Sequence, residues 1–112
     1  MKKIEVIIRP QVFEELRDAL DKVGVHGMNY TEIKGFGRQR GHTETYRGTT
    51  IHVDCLPKLR VELVVSEDMV PATIDCIVET ARTGNVGDGK IFVTNVEEVV
   101  RIRTGERGDA AV

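Results

Sequence analysis

The chain has 112 residues, the length of one domain, and its 40% hydrophobic and 30% charged residues are ordinary for a soluble globular protein. Its 16 Lys and Arg residues are balanced by 18 Asp and Glu residues, and the resulting net charge of −2 argues against general nucleic-acid binding. No apolar segment approaches the roughly 20 residues that cross a bilayer, so membrane insertion is not expected. Cys55 and Cys76 lack metal-binding spacing and no signal peptide precedes them, which indicates reduced thiols and a cytoplasmic location.

The predicted elements alternate between strands and helices. A strand over 3–9 precedes a helix over 10–23, which begins at Pro10 and is stopped by Gly24, and a second strand covers 28–35. The segment 37–55 has no helical period and only weak strand character near 50–53. A strand at 59–65 alternates apolar and charged residues, and a helix at 68–82 follows it. A strand at 91–93, an extended segment at 96–103 and a tail at 104–112, which we expect to be mobile, complete the chain.

Both predicted helices are amphipathic. The first presents an apolar stripe of Val12, Phe13, Leu16, Ala19, Leu20 and Val23, and the second one of Val70, Ile74, Ile77, Val78 and Ala81.

The order of elements predicts the fold class. Strand–helix–strand occurs twice, which is typical of an α+β, ferredoxin-like βαββαβ domain spanning residues 1–112. Both helices would lie on one face of an antiparallel sheet, with the long loop 37–55 between the second and third strands. A loop of that length is usually functional or mobile. The other face of the sheet needs a cover, and a closed homo-oligomer is the simplest one.

The glycine-rich segment Thr83–Lys90, with sequence TGNVGDGK, is a candidate anion site. Successive N–H groups in such a turn can surround an anion, and Lys90 adds a positive charge. The segment nearly matches the P-loop pattern, but Ile91 replaces the required Ser or Thr and a strand follows instead of a helix. A P-loop hydrolase is therefore rejected, while phosphate binding and an ordinary turn after a helix both remain open.

Two further segments carry candidate ligand contacts. In a strand, Arg101 and Arg103 would lie on one face about 7 Å apart, an arrangement that suits a polyphosphate. The alternative is a solvated face paired with Glu97 or Glu98. The segment 35–41, GFGRQRG, would either fold over a ligand or supply turn glycines and surface charges.

Four segments together resemble the PII signal-transduction family, and the resemblance runs from residue 1 to about 111. They are GFGRQRGHTETYRG at 35–48, LPKLRVEL at 56–63, TGNVGDGKIFV at 83–93 and RIRTGE at 101–106. The resemblance implies a homotrimer of ferredoxin-like subunits that transduces nitrogen, carbon and energy status. It also implies that ATP and ADP compete for clefts between neighbouring subunits.

The resemblance implies a set of nucleotide-binding residues. Gly87, Asp88, Gly89 and Lys90 would hold the phosphates, Arg101 and Arg103 would reach them across the cleft, and Arg38 would approach from the loop. The set is completed by Gly35, by Glu62 and Val64 bordering the adenine, and by Asn29, where the family often has Thr.

The resemblance also implies a site for 2-oxoglutarate formed by Gln39, Lys58, Gly37, Gly41 and Gly87. Gln39 would ligate Mg²⁺ together with the ATP phosphates, and Lys58 would pair with the distal carboxylate of the acid. Because ADP lacks the γ-phosphate, the acid should bind only with Mg-ATP, which is positive coupling.

Partners are also implied by the resemblance. They would respond to the conformation of the loop 37–55, and the implied partners are ammonium transporters, regulators of glutamine synthetase and acetylglutamate kinase.

The family's uridylylation motif places a Tyr where this chain has Ile51, so no uridylylation is expected there. Thr49 occupies the position of a phosphorylated Ser in some relatives, which is weak evidence for phosphorylation. His42, His52 and Cys55 do not have the spacing of a metal site. No convincing general base or nucleophile stands out, so a regulatory protein with at most weak ATPase activity is predicted. The alternatives are a nucleotide-processing enzyme and a trimeric metal-tolerance protein.

Overall fold

A computed structural model describes residues 1–36, 42–46, 49–53 and 55–112, with the backbone alone for 42–46 and 49–53. The helices are α1 (Phe13–Lys22) and α2 (Val70–Ala81), each preceded by a 3₁₀ turn, at Pro10–Val12 and Glu67–Met69, and a third such turn covers Gly108–Ala111. The strands are β1 (Lys2–Ile8), β2 (Asn29–Gly35), β3 (His42–Tyr46), β4 (Thr49–Val53), β5 (Leu56–Val65) and β6 (Lys90–Asn95). Among these residues, no helix combines the length and the apolar character that crossing a membrane requires.

The main sheet has the order β2-β5-β1-β6, and every neighbouring pair is antiparallel. Ile4 on β1 sits opposite Leu63 on one side and opposite Val93 on the other. Both helices contribute to the single hydrophobic core on one face of this sheet, and they contact each other. The predicted ferredoxin-like fold is confirmed.

Alternation along the two central strands builds the core. Every second residue of β1 and β5 is buried, so one face of each strand packs against the helices. The buried apolar side chains of the core are Ile4, Val6, Ile8, Leu16, Leu20, Val25, Leu59, Val61, Leu63, Val65, Cys76, Ile77 and Ala81. Removing one of the buried leucines by substitution with Ala would cost about 2–5 kcal/mol of unfolding free energy.

Two details of the helix faces differ from the prediction. Val23 is 39% exposed and lies one residue beyond the end of α1 at Lys22. Thr73 is completely buried on α2, and its hydroxyl donates a hydrogen bond to the Met69 carbonyl at 2.7 Å. A buried hydroxyl is tolerated when it finds such a partner. Cys76 is buried, Cys55 is exposed, and both are free thiols.

The segment after β6 was predicted to be extended over 96–103, and that prediction was wrong from residue 102 onward, where a turn begins. The chain instead reverses, with a bridge between Val100 and Arg107 and a hydrogen bond from the Gly105 N–H to the Arg101 carbonyl at 2.7 Å. Gly105 has φ of +74°, a conformation that glycine adopts easily. Arg103 therefore lies in a turn, and Arg101 lies just before it. Arg101 pairs with Glu106 at 2.8 Å instead of with Glu97 or Glu98.

The strand β4 agrees with the weak strand pattern near 50–53, whereas β3 was not predicted. The two strands form a separate antiparallel hairpin in which Thr45 is opposite Thr50. The sequence HTETY of β3 has little apolar alternation, so pairing with β4 defines this strand more than its own composition does. The mobility of 37–55 and of the tail 104–112 stays a prediction.

The face of the sheet away from the helices carries a row of paired charges. Lys3 contacts Glu62 at 3.4 Å, and Arg60 lies 3.7 Å from both Glu5 and Glu62. Half-buried Ile7 lies on the same face. The covering of this face by other subunits stays a prediction.

Candidate functional site

The glycine-rich loop connects α2 to β6. The helix ends at Ala81, Arg82 turns to an extended conformation, and β6 begins at Lys90. At Gly89 φ is +108°, and a Cβ on this residue would lie 1.6 Å from the carbonyl oxygen of Ile7. Only glycine allows the loop to run this close to the backbone of β1. As predicted, a strand rather than a helix follows the loop, so the segment is not a P-loop.

The carboxylate of Asp88 holds the loop together from within. One of its oxygens accepts hydrogen bonds from the backbone N–H groups of Thr83, at 2.8 Å, and Gly84, at 2.9 Å. The other accepts hydrogen bonds from the Thr83 hydroxyl and from Arg9 Nε, the latter at 3.2 Å. These hydrogen bonds, with the Thr83 hydroxyl first, hold the pKa of Asp88 well below its ordinary value.

Arg9 connects this loop to the end of β1. Besides its contact with Asp88, its terminal nitrogen donates to the Val86 carbonyl at 2.9 Å. Arg9 and Thr83 were not among the predicted site residues. Arg9 is 79 positions from Asp88, and no motif joins the two, so the sequence carried no signal for this contact.

Lys58 projects from β5 towards the same loop. Its ammonium group donates a hydrogen bond to the Gly87 carbonyl at 2.6 Å, and the residue is only 9% exposed. Burial first, and then the positive charge of Arg9, lower the pKa of Lys58, while Asp88 opposes the shift. Gly35 on β2 leaves room for the stem of this side chain, because a Cβ there would lie 3.3 Å from Lys58 Cγ.

A cavity of about 770 Å³ joins these elements. It brings together six of the predicted site residues, namely Gly35, Lys58, Gly87, Asp88, Gly89 and Lys90. Its remaining lining residues were not predicted as individual ligand contacts and are mostly apolar: Ile7, Phe36, Leu56, Asn85, Val86 and Phe92. An apolar cavity with a few converging polar groups is the usual form of a small-molecule site.

The other predicted site residues lie apart from this cavity or outside the described residues. Asn29 and Glu62 are neighbours across β2 and β5, and Val64 is opposite Lys3 on β1. Arg101 and Arg103 belong to the turn after β6. Gly37, Arg38, Gln39 and Gly41 fall outside the described residues, so their assignments stay predictions, as do those for the side chains of Thr49 and Ile51.

Metal-ligating side chains are not clustered in the part of the chain whose side chains are described. Within it, no group of three His, Cys, Asp or Glu residues is arranged to hold an ion. The side chains of His42 and His52 fall outside that part.

The chain matches the family model described as nitrogen regulatory protein P-II over residues 1–106. It is 56% identical to nitrogen regulatory protein P-II of Klebsiella oxytoca and, equally, to nitrogen regulatory protein P-II 1 of Escherichia coli K12. It is 54% identical to nitrogen regulatory protein P-II of Cereibacter sphaeroides, and all three alignments cover 100% of both chains. With a match of this extent, the chain belongs to the nitrogen regulatory protein P-II family.

Proposed function

We propose that this protein is a cytoplasmic sensor that binds ATP or ADP in competition, binds 2-oxoglutarate with Mg-ATP, and regulates partner proteins through the loop 37–55. The observation that carries the proposal is the convergence of Lys58 and the glycine-rich loop on one cavity, with the Lys58 ammonium group 2.6 Å from the Gly87 carbonyl oxygen. The relatives are named as regulatory proteins, which supports a regulatory role over an enzymatic one.

The described residues fit a nucleotide polyphosphate. A cavity of about 770 Å³ is within the range of small-molecule sites. Loop glycines with positive φ let main-chain N–H groups approach an anion, and Lys90 supplies a positive charge where β6 begins. Asp88 is compatible with phosphates beside it because its charge is balanced by Arg9.

The fit to a dicarboxylate depends on Lys58. Its ammonium group is nearly buried at the end of the cavity and is positioned to exchange its carbonyl partner for a carboxylate. Mg²⁺, held by Gln39 and the phosphates of ATP, would supply the second anchor for the acid. Lys58 would hold the distal carboxylate, so both anchors are needed and ADP alone would not support acid binding.

Assembly as a homotrimer would complete the site. In that arrangement Arg101 and Arg103 would approach the phosphates from a neighbouring subunit, and the charged face of the sheet would be covered. Regulated partners would be of the three implied classes: ammonium transporters, regulators of glutamine synthetase, or acetylglutamate kinase.

Titration calorimetry tests the proposal. ATP and ADP should each bind, and 2-oxoglutarate should produce heat only when Mg-ATP is present. Lys58→Met should abolish the response to the acid while keeping ATP binding, and the matched control Lys34→Met, an exposed lysine on β2, should keep both. Sedimentation velocity should give the mass of three chains.

Two outcomes would contradict the proposal and favour the alternatives. Turnover of ATP well above background would indicate an enzyme. Tight binding of copper or zinc without nucleotide would indicate a metal-binding protein.

A further inference from the structure

The four hydrogen bonds that Asp88 accepts come entirely from its own chain. Two oxygens with about four lone-pair sites are thereby fully used within the described residues. A carboxylate in this state has no acceptor capacity left for a ligand's metal ion.

Arg9 and Lys58 fix the orientation of two successive peptide groups in the loop. Arg9 donates to the Val86 carbonyl, and Lys58 donates to the Gly87 carbonyl. In a planar trans peptide, the C=O and the following N–H point in opposite directions. The N–H of Gly87 is therefore directed away from Arg9, and that of Asp88 away from Lys58.

We propose that Asp88, Thr83 and Arg9 are positioning residues: their side chains hold the glycine-rich loop in the form in which its N–H groups take the phosphates of ATP, and these side chains do not touch the ligand. This inference rests on the proposed function. It changes the role of Asp88, which the sequence predicted to be a phosphate contact, and it adds two residues to the site. Asp88 shapes the loop, and Arg9 sets the direction of the Gly87 N–H through the Val86 carbonyl.

The ligand-free protein provides the first test. Amide hydrogen exchange followed by NMR should be slow at Thr83 and Gly84, whose N–H groups bond to Asp88, and faster by about tenfold or more in Asp88→Ala, which removes both acceptor oxygens. Asp88→Asn is a milder change: with its oxygen towards the two N–H groups it keeps those bonds, but its NH₂ group then faces the Arg9 Nε donor, so it cannot accept all four hydrogen bonds. Unchanged exchange at both amides would show that Asp88 does not hold the loop, whatever the protein binds.

The second test separates positioning from direct contact by comparing the affinities for ATP and for adenosine, which lacks phosphates. Asp88→Asn, Thr83→Val and Arg9→Met should each weaken ATP binding by about tenfold while changing adenosine binding less than about twofold. Thr83→Ser keeps the hydroxyl and should bind ATP as the wild type does. Arg17→Met, at an exposed arginine of α1, is the control for removing a guanidinium.

Three results would decide against the inference or its basis. If Asp88→Asn alone weakened ATP binding, Asp88 would be a ligand contact. If the three variants weakened ATP and adenosine equally, their effect would be on the fold and not on the loop. If the wild-type protein bound no ATP, the proposed function would fail, while the exchange measurement would still decide whether Asp88 holds the loop.

Discussion

Substitution of Gly89 by Ala gives a severe test of how closely the glycine-rich loop approaches β1. The added Cβ would lie 1.6 Å from the carbonyl oxygen and 2.7 Å from the carbonyl carbon of Ile7, at a residue with φ of +108°. The first distance is less than half of the about 3.5 Å at which nonbonded atoms rest. Both neighbours are backbone atoms of a central strand, so a side-chain rotation cannot relieve the contact.

The magnitude follows from two separate costs. A non-glycine residue in an unfavourable backbone conformation costs about 1–3 kcal/mol, and forced overpacking adds about 1–3 kcal/mol. We expect Gly89→Ala to lower the unfolding free energy by about 2–6 kcal/mol. Because the loop must move away from Ile7, ATP affinity should also fall.

Two other glycines in this chain separate these costs. Gly84→Ala introduces strain without a clash, because φ is +89° and nothing lies within 4 Å of the new Cβ, so it should cost about 1–2 kcal/mol. Gly27→Ala introduces neither and should change stability by less than about 1 kcal/mol in either direction.

The assay is urea unfolding at a single chain concentration, since the stability of an oligomer depends on concentration. If Gly89→Ala were no more destabilising than Gly84→Ala, the close approach to Ile7 would be refuted.

Three further predictions address charge and chemistry. In Lys58→Met, binding of 2-oxoglutarate in the presence of Mg-ATP should weaken more than about 100-fold, because a buried ion pair is lost, and calorimetry would contradict this by finding unchanged affinity. The advantage in unfolding free energy of wild type over Asp88→Asn should be constant between about pH 5 and 7 and should shrink below about pH 4. The pKa of Asp88 is lowered in the folded state, so its carboxylate contributes full stabilisation above the unfolded-state pKa and loses it on protonation. A difference in unfolding free energy that grew in acid would contradict this. A family uridylyltransferase with UTP should leave the wild-type loop unlabelled and label Ile51→Tyr, and labelling of the wild type would contradict the inference.

The sequence predicted the fold well because burial repeats along it. The alternation of Leu59, Val61, Leu63 and Val65 defined β5, and the helical spacing of Leu16 and Leu20 defined the inner face of α1. Such patterns record which side of an element faces the core, which is enough for element type and order.

The errors arose where pairing or turn chemistry, and not burial, decides the conformation. The segment 96–103 looked extended because Val, Ile and Arg alternate there. A local reversal stabilised by the contact of Arg101 with Glu106 prevails instead. The strand β3 was missed for the converse reason: its residues are mostly polar, and its partner is another strand of the same hairpin.

The candidate site was predictable only in part, for a similar reason. The glycines and Lys90 indicated the loop because their chemistry is visible at a single position, whereas Lys58 was implied only by the family resemblance. Arg9 acts through partners 77 and 79 residues away, and nothing at position 9 distinguishes it from a surface arginine at a strand end. Contacts of this kind follow from the β1 and β6 register, which the sequence does not specify.

Through Lys58, the binding of an acid would affect the phosphate site without movement of a helix. Its ammonium group bonds the Gly87 carbonyl and thereby fixes the 87–88 peptide, which belongs to the loop proposed to take the phosphates. A carboxylate that draws the ammonium group to itself would leave that peptide free to adjust to the phosphates, which agrees with positive coupling between the two ligands. Arg9 would still hold the preceding peptide through the Val86 carbonyl. The two proposed ligands would thus be coupled through one lysine and one peptide group, and coupling over so short a path depends on the loop being held rigid at Asp88.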